Sequence, residues 1–147
     1  MADWKRMCCA VDFSEPSRLA MERAADLARR LAAELTLLHV YDSHAPSPEI
    51  LLERLEEASP EIEAQLSAWR IEAERIAGHE VRTVVLTGPA ATEIVRFARD
   101  GGCDLIVVAT HGRTGLARIV LGSVAEHVVR ESSSPVLVVH RAGEPAS

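Results

Sequence analysis

The chain has 147 residues and a mass of 16.0 kDa, room for one ordinary domain whose core needs no metal or disulfide staple. Hydrophobic residues make up 48% and charged residues 26%, a balance that excludes global disorder, and no apolar run reaches the roughly 18 residues of a spanning helix. The 22 acidic residues outnumber the 16 basic ones for a net charge of -6, and aromatics are only 3%, so neither a broad basic surface nor base-stacking platforms are available for nucleic acid.

The first residues carry no long apolar stretch of the secretory kind, so the expected compartment is the cytoplasm, with no membrane attachment. The three cysteines, Cys8, Cys9 and Cys103, have no metal-ligand or disulfide spacing. Cys8 and Cys9 are adjacent, so on a strand their side chains point to opposite faces.

The first apolar run, 7–11, reads as a strand. Ser14, Glu15 and Pro16 then supply a cap, an acid and a proline at the start of a helix. Leu19, Ala20, Arg23, Ala24, Leu27, Ala28 and Leu31 continue it at helical spacing. A second strand is predicted over 34–41. Residues 43–48 read as a mobile loop, and Ser47-Pro48 opens a second helix. Pro60, after Ser59, predicts a break or kink there, with a further helix to about Ala77. A third strand follows over 81–86. Gly88-Pro89 opens a third helix through Ile94, Val95 and Ala98, ending before Gly101-Gly102. A fourth strand spans 105–109. Gly122-Ser123 opens the last helix, with Ser123 and Glu126 at capping-box spacing. A fifth strand occupies 136–140, and 142–147 read as a frayed tail. There is no internal repeat.

Strands therefore alternate with helices, and several strands are nearly continuous and rich in β-branched residues. That is the pattern of an α/β fold, an open parallel sheet covered by helices on both faces with right-handed crossovers. The expected single domain covers about residues 5–141. In such sheets ligands bind beyond the carboxyl ends of the strands, at the switch point of strand order.

Of the segments that follow the strands, the one from Ala109 to Ser123 is the most informative. Gly112 and Gly115 permit close backbone approach, and Gly122-Ser123 then starts a helix. A helix N-terminus offers free N–H groups and partial positive charge, and Arg113 and Arg118 add more; together these suit an anion. The loop is neither a Walker A sequence nor a Gly-x-Gly-x-x-Gly turn. On glycine spacing alone, an ordinary loop leading into a capped helix accounts for it equally well.

Three stretches resemble the universal stress protein family: Ala10-Val-Asp-Phe-Ser-Glu-Pro-Ser17, Leu37-Leu-His-Val40, and Ala109 through Gly122-Ser123 with the later Ser134-Pro-Val-Leu-Val-Val139. The likeness runs over nearly the whole chain. It implies the adenine nucleotide alpha hydrolase-like fold, an open five-stranded parallel sheet in the order 3-2-1-4-5. It also implies a homodimer joined through the last strand, between Val136 and His140. The family's ATP-binding branch carries Gly-x2-Gly-x9-Gly-Ser/Thr. Here Gly112, nine intervening residues, Gly122 and Ser123 match the second part, while Ala109 replaces the first glycine. An alanine has a modest effect if its backbone is extended and blocks the pocket if it is not.

The resemblance implies ATP as ligand, with Mg2+ or Mn2+. It places Asp12 near the ribose and phosphates or their metal; the competing reading is an acid beside the first helix N-terminus. It places Val40 at adenine, though a β-branched residue at a strand end equally suits the core. Gly112, Gly122, Ser123 and Val124 are expected to present N–H groups to phosphate, with the Ser123 hydroxyl either on phosphate or capping its helix. His111 and Arg113 could pair with phosphate or simply face solvent. Glu126 reads as the capping-box partner. Asp12, Ser14 and His111 do not make a credible nucleophilic triad, since Ser14 is already explained as a cap.

His39, His44, His79, His127 and His140 show no metal spacing. His39 and His140, inside strand runs, read as core or interface residues. The acidic second helix reads as a solvated face. The implied function is an ATP-binding stress-response regulatory module. The alternatives are a dimeric interaction protein that binds no nucleotide, which Ala109 favours, and a slow ATPase.

Overall fold

The computed structural model describes residues 4–42, 44–110 and 122–140. Nine elements alternate: β1 (Arg6–Ala10), α1 (Glu15–Leu31), β2 (Glu34–Tyr41), α2 (Pro48–Ala77), β3 (Arg82–Thr87), α3 (Ala90–Asp100), β4 (Leu105–Ala109), α4 (Ser123–Glu131) and β5 (Val136–Val139). All strand pairs are parallel, in the order β3-β2-β1-β4-β5, the order expected.

The pleat sorts β1 between two apolar layers. Cys9, with Met7, Leu35, Leu37, Leu105 and Val107, faces α1 and α2. Cys8, with Leu38, Ile106 and Val108, faces α3 and α4. The adjacent cysteines thus lie on opposite faces, as alternation requires. On α1 most inward positions are small: Ala20, Ala24, Ala25 and Ala28 are fully buried beside the larger Met21. Leu31, in the last turn, is exposed rather than core.

Ser14 caps α1, its hydroxyl accepting from the Ser17 amide at 3.3 Å, and Ser47 caps α2 by accepting from Ile50 at 3.3 Å. Of the break or kink expected at Pro60, the break does not occur; α2 runs continuously for 30 residues. Proline removes the hydrogen bond to the carbonyl of residue 56. Glu56 and Pro60 are both exposed, so water can take that carbonyl. Ile62, Leu66, Trp69, Ala73 and Ala77, all beyond the proline, then hold the helix to the core.

The last helix starts differently from the capping box read in the sequence. Gly122 is the N-cap, Ser123 is the first helical residue, and no side-chain cap bond forms. The Gly122 carbonyl accepts from the Glu126 amide at 2.9 Å, which places Ser123 one position too far along to cap. Glu126 instead pairs with Arg130 at 2.9 Å. β5 ends at Val139, leaving His140 outside the strand and exposed. Among the described residues no helix is long and apolar enough to cross a membrane.

Candidate functional site

In this strand order the connections leave β1 and β4 in opposite directions, so the switch point lies between their carboxyl ends. A cavity of about 310 Å³ opens there. Its walls bring together Asp12, Val40, Ala109, Gly122, Ser123 and Val124 of the residues singled out in the sequence. His111, Gly112 and Arg113 lie outside the described residues, as do Gly115 and Arg118.

Asp12 follows β1 and is half-buried. Its Oδ1 accepts from the Ser14 amide at 3.0 Å and from the Ser14 hydroxyl. Its own amide donates to Ser17 Oγ at 3.2 Å, and Ser17 Oγ donates to the Ser14 carbonyl at 3.2 Å. The helix cap and the acid are therefore one network. It uses Oδ1, while Oδ2 takes no partner among the described residues.

Phe13, the next residue, has φ of 64°, a left-handed conformation a bulky side chain rarely adopts. The turn sends its ring to the opposite side of the sheet from the cavity, where it stacks on His39 and meets the edge of Trp69. His39 Nδ1 lies 2.9 Å from the Val11 carbonyl, so the proton is on Nδ1.

Val40 stands at the end of β2 with Leu38 behind it, opposite Ala90 and Ile94 of α3. These form an apolar slot. The contribution of α3 was not foreseen, although Ile94 falls at the helical spacing Ala91, Ile94, Ala98 of its buried face.

Ala109 is the last residue of β4, in register with Val139 of β5. Its backbone is extended, and only Phe13 and Ala32 among the described non-glycine residues have positive φ. Glycine is not demanded there, so the replacement adds a methyl group to the wall without forcing the chain. Thr110 beside it, 1% exposed, was also missed; its amide donates to the Val139 carbonyl at 3.1 Å.

The start of α4 faces this slot. The Gly122 N–H already donates to the Thr110 carbonyl, so Gly122 does not offer the free amide expected of it. The amides without partners among the described residues are those of Ser123, Val124 and Ala125. They begin a nine-residue helix, and their N–H groups and dipole present positive potential to the cavity. Ala125 is a further donor that glycine spacing did not reveal.

Among the described residues no cluster of three or more His, Cys, Asp or Glu side chains could hold a metal. A single free carboxylate oxygen on Asp12 fits a hard divalent ion that a ligand's phosphates carry in, and not an all-protein cage. The described walls contain one acid and no lysine, arginine or histidine. Chemically the arrangement is an apolar slot leading to a set of open helix-start amides, a geometry that suits an anion.

The sequence model of the Universal stress protein family matches residues 3–140. The universal stress protein MJ0577 of Methanocaldococcus jannaschii is 32% identical over 94% of this chain and 96% of its own length. A second protein of that organism, universal stress protein MJ0531, is 34% identical over 94% of this chain and 83% of its own. The solved structure of MJ0577 superposes with a TM-score of 0.85 at 33% identity, covering 95% of this chain and 98% of that one. A universal stress protein solved in complex with cAMP superposes with a TM-score of 0.72 at 26% identity, covering 93% and 97%.

Proposed function

The chain belongs to the universal stress protein family, and from that premise we propose that it binds an adenine nucleotide, ATP foremost, as a cytoplasmic stress-response regulatory module. The observation that carries this reading is the junction of the Val40 slot with the three open amides of α4 in one cavity at the switch point. The cAMP complex of a relative supports the nucleotide class. The extended strand backbone at Ala109 supports it, since that conformation does not demand glycine.

In this reading adenine occupies the apolar slot between Val40 and Ile94, where main-chain groups after β2 can read its edge. Phosphates meet the Ser123, Val124 and Ala125 amides and the Ser123 hydroxyl, which is not engaged in capping. His111, Gly112 and Arg113 add to the phosphate site. Asp12 Oδ2 addresses ribose or an Mg2+ or Mn2+ ion carried on the phosphates. Binding regulates only by favouring one state of the protein over another, and a homodimer joined along β5 is the state we infer. β5 lies at the sheet edge with Leu137 38% exposed. A drop from dimer to monomer mass in Leu137→Lys tests that part.

The test of binding is calorimetric titration with ATP and Mg2+, after a denatured sample has been assayed for carried-over nucleotide. Ser123→Pro is the informative variant. Proline is favoured at the first helical position, and the preceding Gly122, at φ -62° and ψ 158°, already has the conformation a following proline requires. The variant keeps the fold while deleting one amide donor and the hydroxyl. Micromolar binding by the parent chain and at least tenfold weaker binding by the variant are expected. No carried-over nucleotide and no binding at millimolar ATP would reject the reading.

A further inference from the structure

Cys103 lies in the turn between α3 and β4, 95 positions from Cys8. It is half-buried and packs against the same apolar layer that contains Cys8. The turn is fixed to the start of β1. The Asp104 amide donates to the Arg6 carbonyl at 2.7 Å, and the Asp104 carboxylate accepts from the Lys5 and Arg6 amides at 2.9 Å each. Cys103 itself is held on both sides. Its amide donates to the Ala98 carbonyl at 2.9 Å, and its carbonyl accepts from Ser134 Oγ at 2.9 Å. Cys8, two residues beyond Arg6, is thereby brought into this layer beside Cys103, close enough for each thiol to act on the other.

We propose that Cys8 and Cys103 are a redox-active pair that closes to a reversible disulfide, tying β1 to the α3–β4 turn, with a hydroperoxide as oxidant.

Cys103 is the attacking sulfur. It is the accessible member, and the hydrogen bond from Cys8 lowers its pKa from the ordinary thiol value, with help from the Arg6 guanidinium. Its thiolate attacks one peroxide oxygen, the O–O bond breaks, and the displaced alkoxide or hydroxide takes up a proton. Cys103 is then a sulfenic acid. The Cys8 sulfur attacks it, the S–O bond breaks, and the Cys8 proton leaves with the hydroxide as water. Overall, two thiols and one hydroperoxide give one disulfide, one alcohol or water, and one further water. A dithiol reductant restores both thiols. Cys9 is the internal control: it faces the opposite layer, away from Cys103.

The test is to treat the full chain with tert-butyl hydroperoxide, quench with an alkylating agent and map peptides without reduction. The expected product has lost two hydrogens, carries a Cys8–Cys103 peptide link, retains an alkylatable Cys9 after unfolding, and reverts with dithiothreitol. Cys103→Ser should abolish the link, and because that site is half-buried and tolerates a small polar side chain, the variant also serves as the folding control. Oxygen added at Cys103 while Cys8 stays free, a link through Cys9 or between two chains, or no oxidation at Cys103 would each overturn the proposal. The wild-type map decides it even if a variant fails to fold.

Discussion

The Phe13 ring stacks on the His39 imidazole with centroids 4.6 Å apart, while its backbone holds φ at 64°. The conformation costs of order 1–3 kcal/mol for a non-glycine residue, and packing on His39 and Trp69 offsets it. This fixes the turn that presents Asp12 to the cavity.

It follows that Phe13→Ala keeps the unfavourable backbone and loses the ring contacts. A destabilisation of about 2–4 kcal/mol is expected by urea titration, near the lower end for phenylalanine truncation because the ring is only partly buried. Phe13→Gly should be the more stable of the two by about 1 kcal/mol, since glycine accepts the left-handed conformation. An alanine variant at least as stable as the glycine variant would show that the turn stores no strain.

Serines at the three helix starts should respond differently. Ser14→Ala and Ser47→Ala each remove a side-chain cap and should cost about 1 kcal/mol. Ser123→Ala removes no cap and should stay within about 0.5 kcal/mol of the parent chain. The same substitution should weaken ATP binding severalfold if the hydroxyl meets phosphate. Thermal melts paired with calorimetry separate the two effects.

Restoring the family's glycine by Ala109→Gly is expected to lower stability by about 0.5–1 kcal/mol, because glycine in an extended strand loses more entropy on folding. It should not raise nucleotide affinity, since Ala109 already has the backbone conformation the wall needs. A large gain in affinity by titration would instead mean that the methyl group obstructs the ligand.

Acid stability should depend on Asp104. The Lys5 and Arg6 amides, and secondarily the Arg6 and Lys5 charges, lower its pKa from the ordinary 3.8. A carboxyl depressed in the folded state contributes stability that is present above its unfolded value and is lost as pH falls through the folded one. Asp104→Asn should therefore flatten the stability profile below about pH 4, where the unfolded carboxyl begins to protonate. A profile of unchanged slope in denaturant melts across that range would contradict this.

Much of the fold was legible because the central strands bury both faces and each helix carries a small-residue or aliphatic stripe at its own period. The opposite orientations of Cys8 and Cys9 follow from the pleat alone. Pro60 does not end the helix, because a proline signals a lost hydrogen bond but not whether water can replace it. The start of α4 shifted by one residue because the Thr110 carbonyl takes the Gly122 amide, a tertiary contact that no local pattern encodes. Ile94 entered the site from α3 because sequence marks a buried helix face without saying which part of it borders a cavity. Spacing along the chain links Cys103 to no partner. Its nearness to Cys8 depends on the pairing of β1 with β4, which adjacent spacing cannot express.

Trp69 meets Phe13 edge-on at 5.3 Å, with the Arg18 guanidinium 4.7 Å above its ring. Phe13 is covalently next to Asp12, so any tilt of that turn changes the surroundings of an indole on the far side of the sheet. The protein thus carries its own optical gauge of the loop. With Trp4 replaced by phenylalanine, Trp69 emission reports the turn's position without an added label.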